Sequence, residues 1–207
     1  MSKVFVDVGI SLDGFIAGTN RRPGNPLGDN GVGIHQWMFN TATFAEMIGL
    51  PGGEKSADDV LVKQVFARAG AYVLGRNMFD EGEVGWPENP PFRAPVFVLT
   101  HKPREPWVRK GGTTFHFVTD GINSALSQAR AAAGGKDVRI SGGADTICQY
   151  LNAGAVDELT LHVAPVMLGA GLRLFEQLAP GRLAVEQQQV SSSPLATHIS
   201  YRVLARH

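Results

Sequence analysis

The segment Asp137–Phe175, DVRISGGADTICQYLNAGAVDELTLHVAPVMLGAGLRLF, constrains the fold more than any other part of the chain. It reads as strand, glycine turn, helix, strand and a second glycine loop. Val138, Arg139 and Ile140 end a strand, and Gly142 and Gly143 make a turn with no side chain in the way. Asp145, Thr146, Ile147 and Cys148 then open a helix that Gly154 is placed to end. A bare turn at a helix N-terminus offers backbone N–H groups to a phosphate. Leu159–Val163 is a β-rich run, closed by Pro165 and the Gly169/Gly171 pair. Such a unit is one nucleotide-binding half of an α/β protein.

The rest of the chain extends that pattern. With 207 residues it suits a single domain over 1–207. Val4, Val6, Val8 and Ile10 mark a largely buried first strand, and residues 19–33 form a long loop rich in Gly, Pro and Asn. Ile34–Met47 has room for a short helix. Ser56 is placed to cap a helix over Ala57–Ala69, with Val60, Leu61, Val65 and Phe66 on one side. Further strands are expected at Ala71–Leu74, Pro95–Leu99 and Thr114–Val118. Short helices follow at Asn77–Glu81 and at Ile122–Ala133, the latter capped by Asp120. A strand pair near Leu183–Val190 and Thr197–Leu204 ends the chain. Alternating strands and helices with a terminal pair predict a mostly parallel sheet with an antiparallel edge.

Composition narrows the function. The 43% hydrophobic and 18% charged content is that of a globular protein, and the zero formal net charge argues against a general nucleic-acid binder. One cysteine, Cys148, permits no internal disulfide and fits a reducing cytoplasm. No apolar run approaches the ~20 residues of a membrane span, and the N-terminal MSKVFVDVGI reads as strand rather than leader. No Cys/His cluster has metal spacing.

Five segments in order carry a family resemblance: SLDGFIAG, YVLGRNMFD, PVFVLTHKPRE, RISGGADT and DELTLHVAPVMLGAGLRLF. Together they resemble the dihydrofolate reductase-like superfamily, in the branch of the reductase domain of bacterial riboflavin biosynthesis. The resemblance implies a three-layer α/β/α sandwich with a mixed central sheet. It implies NADPH as cofactor, hydride transfer to a pterin- or pyrimidine-type heterocycle, and a homodimer. No zinc deaminase domain accompanies it here, so the chain resembles free-standing members.

Residues of interest follow from both readings. Gly75 lets a cofactor backbone approach, and Arg76 can fork onto a phosphate, unless it is a plain surface arginine beside a turn. Thr100, His101, Lys102 and Arg104 follow a strand's C-terminal end and make a basic patch suited to a 2′-phosphate. Gly142, Gly143, Ala144, Asp145 and Thr146 are expected at the pyrophosphate, with Asp145 turned away or capping the helix. Leu168, Gly169 and Gly171 either offer amides to a substrate or form a wide turn, and Trp37 either covers a substrate or is core. The resemblance places Ala17 and Gly18 beside the nicotinamide. It also makes Asp13 and Asp59 the acid candidates. An Asp-Gly turn and a helix macrodipole are their bland explanations. Two other readings stand beside a reductase: a dinucleotide-binding homodimer without turnover, and, with less support, a phosphate-binding transferase.

Overall fold

The computed structural model describes residues 2–204. In chain order the elements are β1 (Val4–Ser11), β2 (Phe15–Ala17), α1 (Val32–Phe39), α2 (Ala42–Met47), α3 (Ala57–Arg68), β3 (Ala69–Gly75), α4 (Arg76–Gly82), β4 (Val96–Leu99), β5 (Trp107–Val108), β6 (Thr114–Val118), α5 (Ile122–Ala132), β7 (Asp137–Gly142), α6 (Ala144–Asn152), β8 (Glu158–Ala164), β9 (Leu172–Arg173), β10 (Ala184–Ser192) and β11 (Thr197–Leu204). Nine strands form one sheet in the order β10-β11-β8-β1-β7-β3-β4-β6-β5. The pairs from β8 through β6 are parallel. The β10–β11–β8 edge and the β5–β6 edge are antiparallel.

The sheet is covered on both faces, so its central strands are rich in buried apolar residues, with Asp7 and Ser11 the buried polar ones of β1. Every residue of β1 is buried. Val4, Val6 and Val8 join Ile140, Ala125, Ile147 and Tyr150 under α5 and α6. Phe5 points the other way, into a cluster with Tyr72, Leu74, Phe79 and Phe115. On that second face Trp37 of α1 and Val62 of α3 form a smaller cluster. The result is three layers, α/β/α, as expected.

Local details depart from the sequence reading. The Ile34–Met47 region holds two helices, because Thr41 stops one and caps the next through Phe44 N. Ser56 caps α3 by accepting from Asp59 N at 3.3 Å. The buried face of α3 differs from expectation: Val60 is 54% exposed, while Asp58 and Val62 are buried. Asp120 does not cap α5; Gly121 takes that position at φ +94°, with no side-chain bond. Cys148 is core, with Sγ 3.0 Å from the Leu174 carbonyl, and burial raises its thiol pKa.

Candidate functional site

The connections after neighbouring strands create a crevice. After β3 the chain turns to α4 on one face of the sheet, and after β7 it turns to α6 on the other. β3 and β7 are adjacent and parallel, so the reversal leaves a gap at their C-terminal ends. A cleft of about 540 Å³ opens there, fed by four consecutive strands, β7, β3, β4 and β6.

Most of the expected cofactor residues line this cleft: Gly75, Arg76, Thr100, His101, Lys102, Gly143, Ala144, Asp145 and Thr146. Gly75 is required by space, since a Cβ there would lie 2.4 Å from Thr146 Oγ1. Gly142 ends β7 at φ +135°, which suits only glycine, and the Gly142–Gly143 peptide is cis. Gly142 itself is buried behind the cleft wall against Met78. Asp145 caps nothing; its carboxylate accepts from Gln149 Nε2 at 2.9 Å, and both residues lie along the cleft.

The basic side of the cleft is built on hydroxyl contacts. Arg76 Nε donates to Asp80 at 2.7 Å, and its Nη1 reaches Thr100 Oγ1 at 3.3 Å. Thr100 Oγ1 accepts from Lys102 N at 3.0 Å, which curls the 100–102 turn around it. His101 and Lys102 are exposed at the rim. Arg104 is not part of this patch: it pairs with Glu83 at 2.7 Å and lies over the Trp107 and Phe117 rings. Sequence reasoning missed Arg21, Thr119 and Gly121, which also line the cleft. The last two follow β6, so the strand-end rule finds them. Arg21 arrives from the long loop and is held by Glu81 at 3.2 Å.

Other candidates sit elsewhere. Ala17 is buried, and Gly18 is covered by its own loop, since a Cβ on Gly18 would lie 1.8 Å from the Asp29 carbonyl oxygen. Gly171, at φ +145°, packs its Cα side against the Ala17 carbonyl. Neither Ala17 nor Gly18 lines the cleft.

Asp13 has a structural job. Its carboxylate accepts from Ser11 Oγ at 2.6 Å, Leu168 N at 3.1 Å and Gly169 N at 2.7 Å. The Leu168 and Gly169 amides are therefore spent on Asp13 rather than offered to a substrate. The Ser11 bond, with the two backbone amides, lowers the Asp13 pKa to about 2. A carboxyl so depressed is ionised at neutral pH and is a poor proton donor. The loop support is present above the ordinary carboxylate range and is lost as pH falls toward 2. Replacing Asp13 with asparagine should speed hydrogen exchange at Leu168 and Gly169 by about tenfold or more, without unfolding the chain. Unchanged protection at both amides would remove Asp13 from this role.

Asp59 is likewise engaged, accepting from Thr43 N at 2.6 Å and so tying α3 to α2. Its neighbour Asp58 is the buried one, bonded to His198 at 2.9 Å. Trp37 is 4% exposed and stacks on His162 with centroids 4.0 Å apart, so it is core rather than a substrate cover.

A second, apolar recess of about 1020 Å³ lies between α1–α2 and the loop after α4, lined by Phe39, Phe44, Leu50, Trp86 and Pro87. Glu54 is the one charged residue among its lining residues. Trp86 is anchored, stacked on Phe115 at 5.1 Å.

His35, on α1, titrates well below the ordinary histidine range. Burial lowers its pKa to about 4, against a hydrogen bond with the Ile16 backbone. Its Nε2 is buried without a partner. Between pH 6.5 and 4 the unfolded chain therefore binds a proton that the folded chain refuses. Stability falls as pH drops through that window, by roughly 3 kcal/mol in all. Urea titrations across this range should show the loss, reduced in His35→Phe. An identical pH slope in the variant would assign the loss to other groups.

Among the described residues no group of three His, Cys, Asp or Glu side chains is arranged to hold a metal ion. No helix among them is long and apolar enough to cross a membrane.

Comparison with known proteins agrees with this fold. The family model for the RibD C-terminal domain matches residues 2–200. The Bacillus subtilis protein YyaP is 25% identical over 179 residues, covering 84% of this chain and 80% of that protein. Among solved structures, the Thermotoga maritima diaminohydroxyphosphoribosylaminopyrimidine deaminase/5-amino-6-(5-phosphoribosylamino)uracil reductase superposes with a TM-score of 0.57 at 15% identity. That match covers 98% of this chain but 57% of the longer protein. Enterococcus faecalis dihydrofolate reductase, in complex with NADP(H), superposes with a TM-score of 0.53 at 14% identity, covering 97% and 96% of the two chains.

Proposed function

We propose, for a chain that belongs to the family of RibD C-terminal domains, that it is an NADPH-dependent reductase of a small heterocycle. The observation that carries the reading is the cleft itself: Gly75, Arg76, Thr100, Lys102 and Gly143–Thr146 converge there from separate strand ends. The residues suit the cofactor. Gly75 lets the end of β3 pack closely against Thr146 at the cleft wall, where a Cβ would lie 2.4 Å from its Oγ1, and Gly143 and Ala144 bring helix α6's N-terminal N–H groups to the cleft. Arg76, Thr100 and Lys102 supply donors for a phosphate on the ribose.

When bound, NADPH supplies a hydride to a polarised C=N or C=O. The protein's part is to hold the two reactants in register and to limit water at the reacting face. Asp13 and Asp59 are both engaged with backbone amides. In this reading, water delivers the proton that the acceptor atom needs. The apolar recess, with Glu54 its one charged lining residue, suits a flat neutral or cationic ring better than a phosphorylated one. The reading includes a cytoplasmic homodimer, which sedimentation would check.

The engagement of both carboxylates favours a second reading, a dinucleotide-binding module without turnover. Following NADPH absorbance with a panel of pterins, pyrimidines and uncharged aromatic imines separates the two. Sustained oxidation with any of them supports the reductase. NADPH binding with no turnover across the panel favours the module.

A further inference from the structure

Arg21 reaches the cleft from the long loop, whereas most of the other lining residues come from strand ends. The loop leaves β2 on the α6 side. Ala17 of β2 pairs with Leu172 of β9, and Leu172 Cδ2 lies 3.8 Å from where a Gly143 Cβ would stand. The loop then doubles back on itself. Asp29 N donates to Thr19 O at 2.8 Å, and Arg22 and Asn25 exchange backbone bonds at 3.3 and 2.8 Å. Arg21 sits between these two rungs, so its backbone is fixed. Its side chain crosses to α4, where Nη1 donates to Glu81 Oε2 at 3.2 Å. Glu81 is one helical turn beyond Asn77 and Met78, which line the cleft. Arg21 therefore spans the gap from the α6 side to the α4 side, where β7 and β3 part.

The charges along the cleft give this arginine a purpose. Among the described lining residues the guanidinium and ammonium groups are those of Arg21, Arg76 and Lys102, and the carboxylates are those of Asp80 and Asp145. Arg76 is turned toward Asp80 and Thr100, and Lys102 belongs to the turn that Thr100 organises. Both serve the β3–β4 end. At the other end, α6 presents its first N–H groups together with the Asp145 carboxylate, which is bonded to Gln149 and to no cation. An anion brought to this helix start meets that carboxylate. The amides there carry only partial positive charge, so a full cation is needed to offset it, and Arg21 lies across this end. Among the described residues Glu81 is the one hydrogen-bond partner of the Arg21 guanidinium, which leaves its other N–H groups open to a ligand. Glu81 itself does not line the cleft, so a ligand faces the guanidinium rather than its partner.

We propose that Arg21 is a diphosphate-binding residue, holding the bridging phosphates of the dinucleotide against the N-terminus of α6. The assignment rests on the dinucleotide reading above and divides the work within it. Arg76, Thr100 and Lys102 face the 2′-phosphate, which NADPH has and NADH lacks. The diphosphate is common to both, so Arg21 contributes affinity without selectivity. Glu81 is a positioning residue. Its side chain is 15% exposed, and it fixes one arm of the fork so that the rest is already aimed when the ligand arrives.

Dissociation constants of the full chain for NADPH, NADH and inorganic diphosphate, measured by titration calorimetry, test the assignment. Replacing Arg21 alone would strand the Glu81 carboxylate, so Glu81→Gln is compared with the double variant Arg21→Gln/Glu81→Gln, and the wild type with Arg21→Lys. The double variant should bind NADPH and NADH more weakly than Glu81→Gln by the same factor, about tenfold, and diphosphate more weakly as well. Arg21→Lys should weaken both dinucleotides equally and by less, because it keeps the charge and loses the fork. Unchanged constants, or a loss confined to NADPH, would overturn the assignment. Failure of the underlying reading looks different: the wild type would then bind neither dinucleotide, and the diphosphate arm alone would decide Arg21. A wild type that binds none of the three probes overturns both. Should a glutamine variant fail to fold, Arg21→Lys still decides, since an absent or unequal loss there contradicts the assignment.

Discussion

Replacing Arg76 with alanine is expected to raise the dissociation constant for NADPH by about 10- to 100-fold, the worth of one charge-assisted phosphate contact. Stability should hardly change. The Arg76–Asp80 pair joins side chains that are 31% and 44% exposed, so its loss moves the thermal midpoint by about 1–2 °C at most. Arg76→Lys keeps the charge but loses the fork that spans Asp80 and Thr100, and should fall between the two. Asp80→Asn frees the guanidinium and should tighten binding. Wild-type affinity in Arg76→Ala would take Arg76 out of the site.

Replacing Gly18 with alanine is expected to be one of the most damaging small substitutions at the long loop, alongside Gly31, whose Cβ would lie 1.8 Å from the Leu27 carbonyl oxygen. At Gly18 the new Cβ would lie 1.8 Å from the Asp29 carbonyl oxygen, a backbone atom that no rotamer can move aside. The loop is stitched through Gly18 N to Leu27 O and Asp29 N to Thr19 O, both 2.8 Å. It must either strain or lift off, at a cost of about 3 kcal/mol. Lifting it would draw Arg21 from Glu81 and from the cleft. Urea unfolding should show the loss, and limited proteolysis should show new cutting within residues 20–28. A wild-type midpoint with no new cleavage would mean that the loop is held in some other way.

The fold was legible because its signals are local. Val4–Ile10, Thr114–Val118 and Asp137–Asn152 announce themselves by periodicity and glycine placement, and all three fall close to the observed bounds. The cleft was legible for a related reason, since a strand end followed by Gly-Arg, Thr-His-Lys or Gly-Gly marks where a parallel sheet opens. What could not be read is what depends on contacts far apart in sequence. Asp13 resembles a signature acid, but its partners Leu168 and Gly169 lie some 155 residues on. Asp58 and Asp59 look equivalent in a helix's first turn, and only His198, 140 residues away, separates the buried one from the one that holds α2. The burial of Trp37 follows from its stack on His162, a strand residue whose inward direction is fixed by pairing with Gly9.

The central claim is that the crevice between β3 and β7 binds a phosphorylated nicotinamide dinucleotide. Titration of the purified protein with NADPH and with NADH, followed by tryptophan fluorescence and checked by thermal shift, tests it most directly. The account predicts saturable binding of NADPH, with NADH weaker by about tenfold or more because Arg76, Thr100 and Lys102 lose the 2′-phosphate. Absence of binding by either dinucleotide would contradict it, and the cleft would then belong to a different phosphorylated ligand.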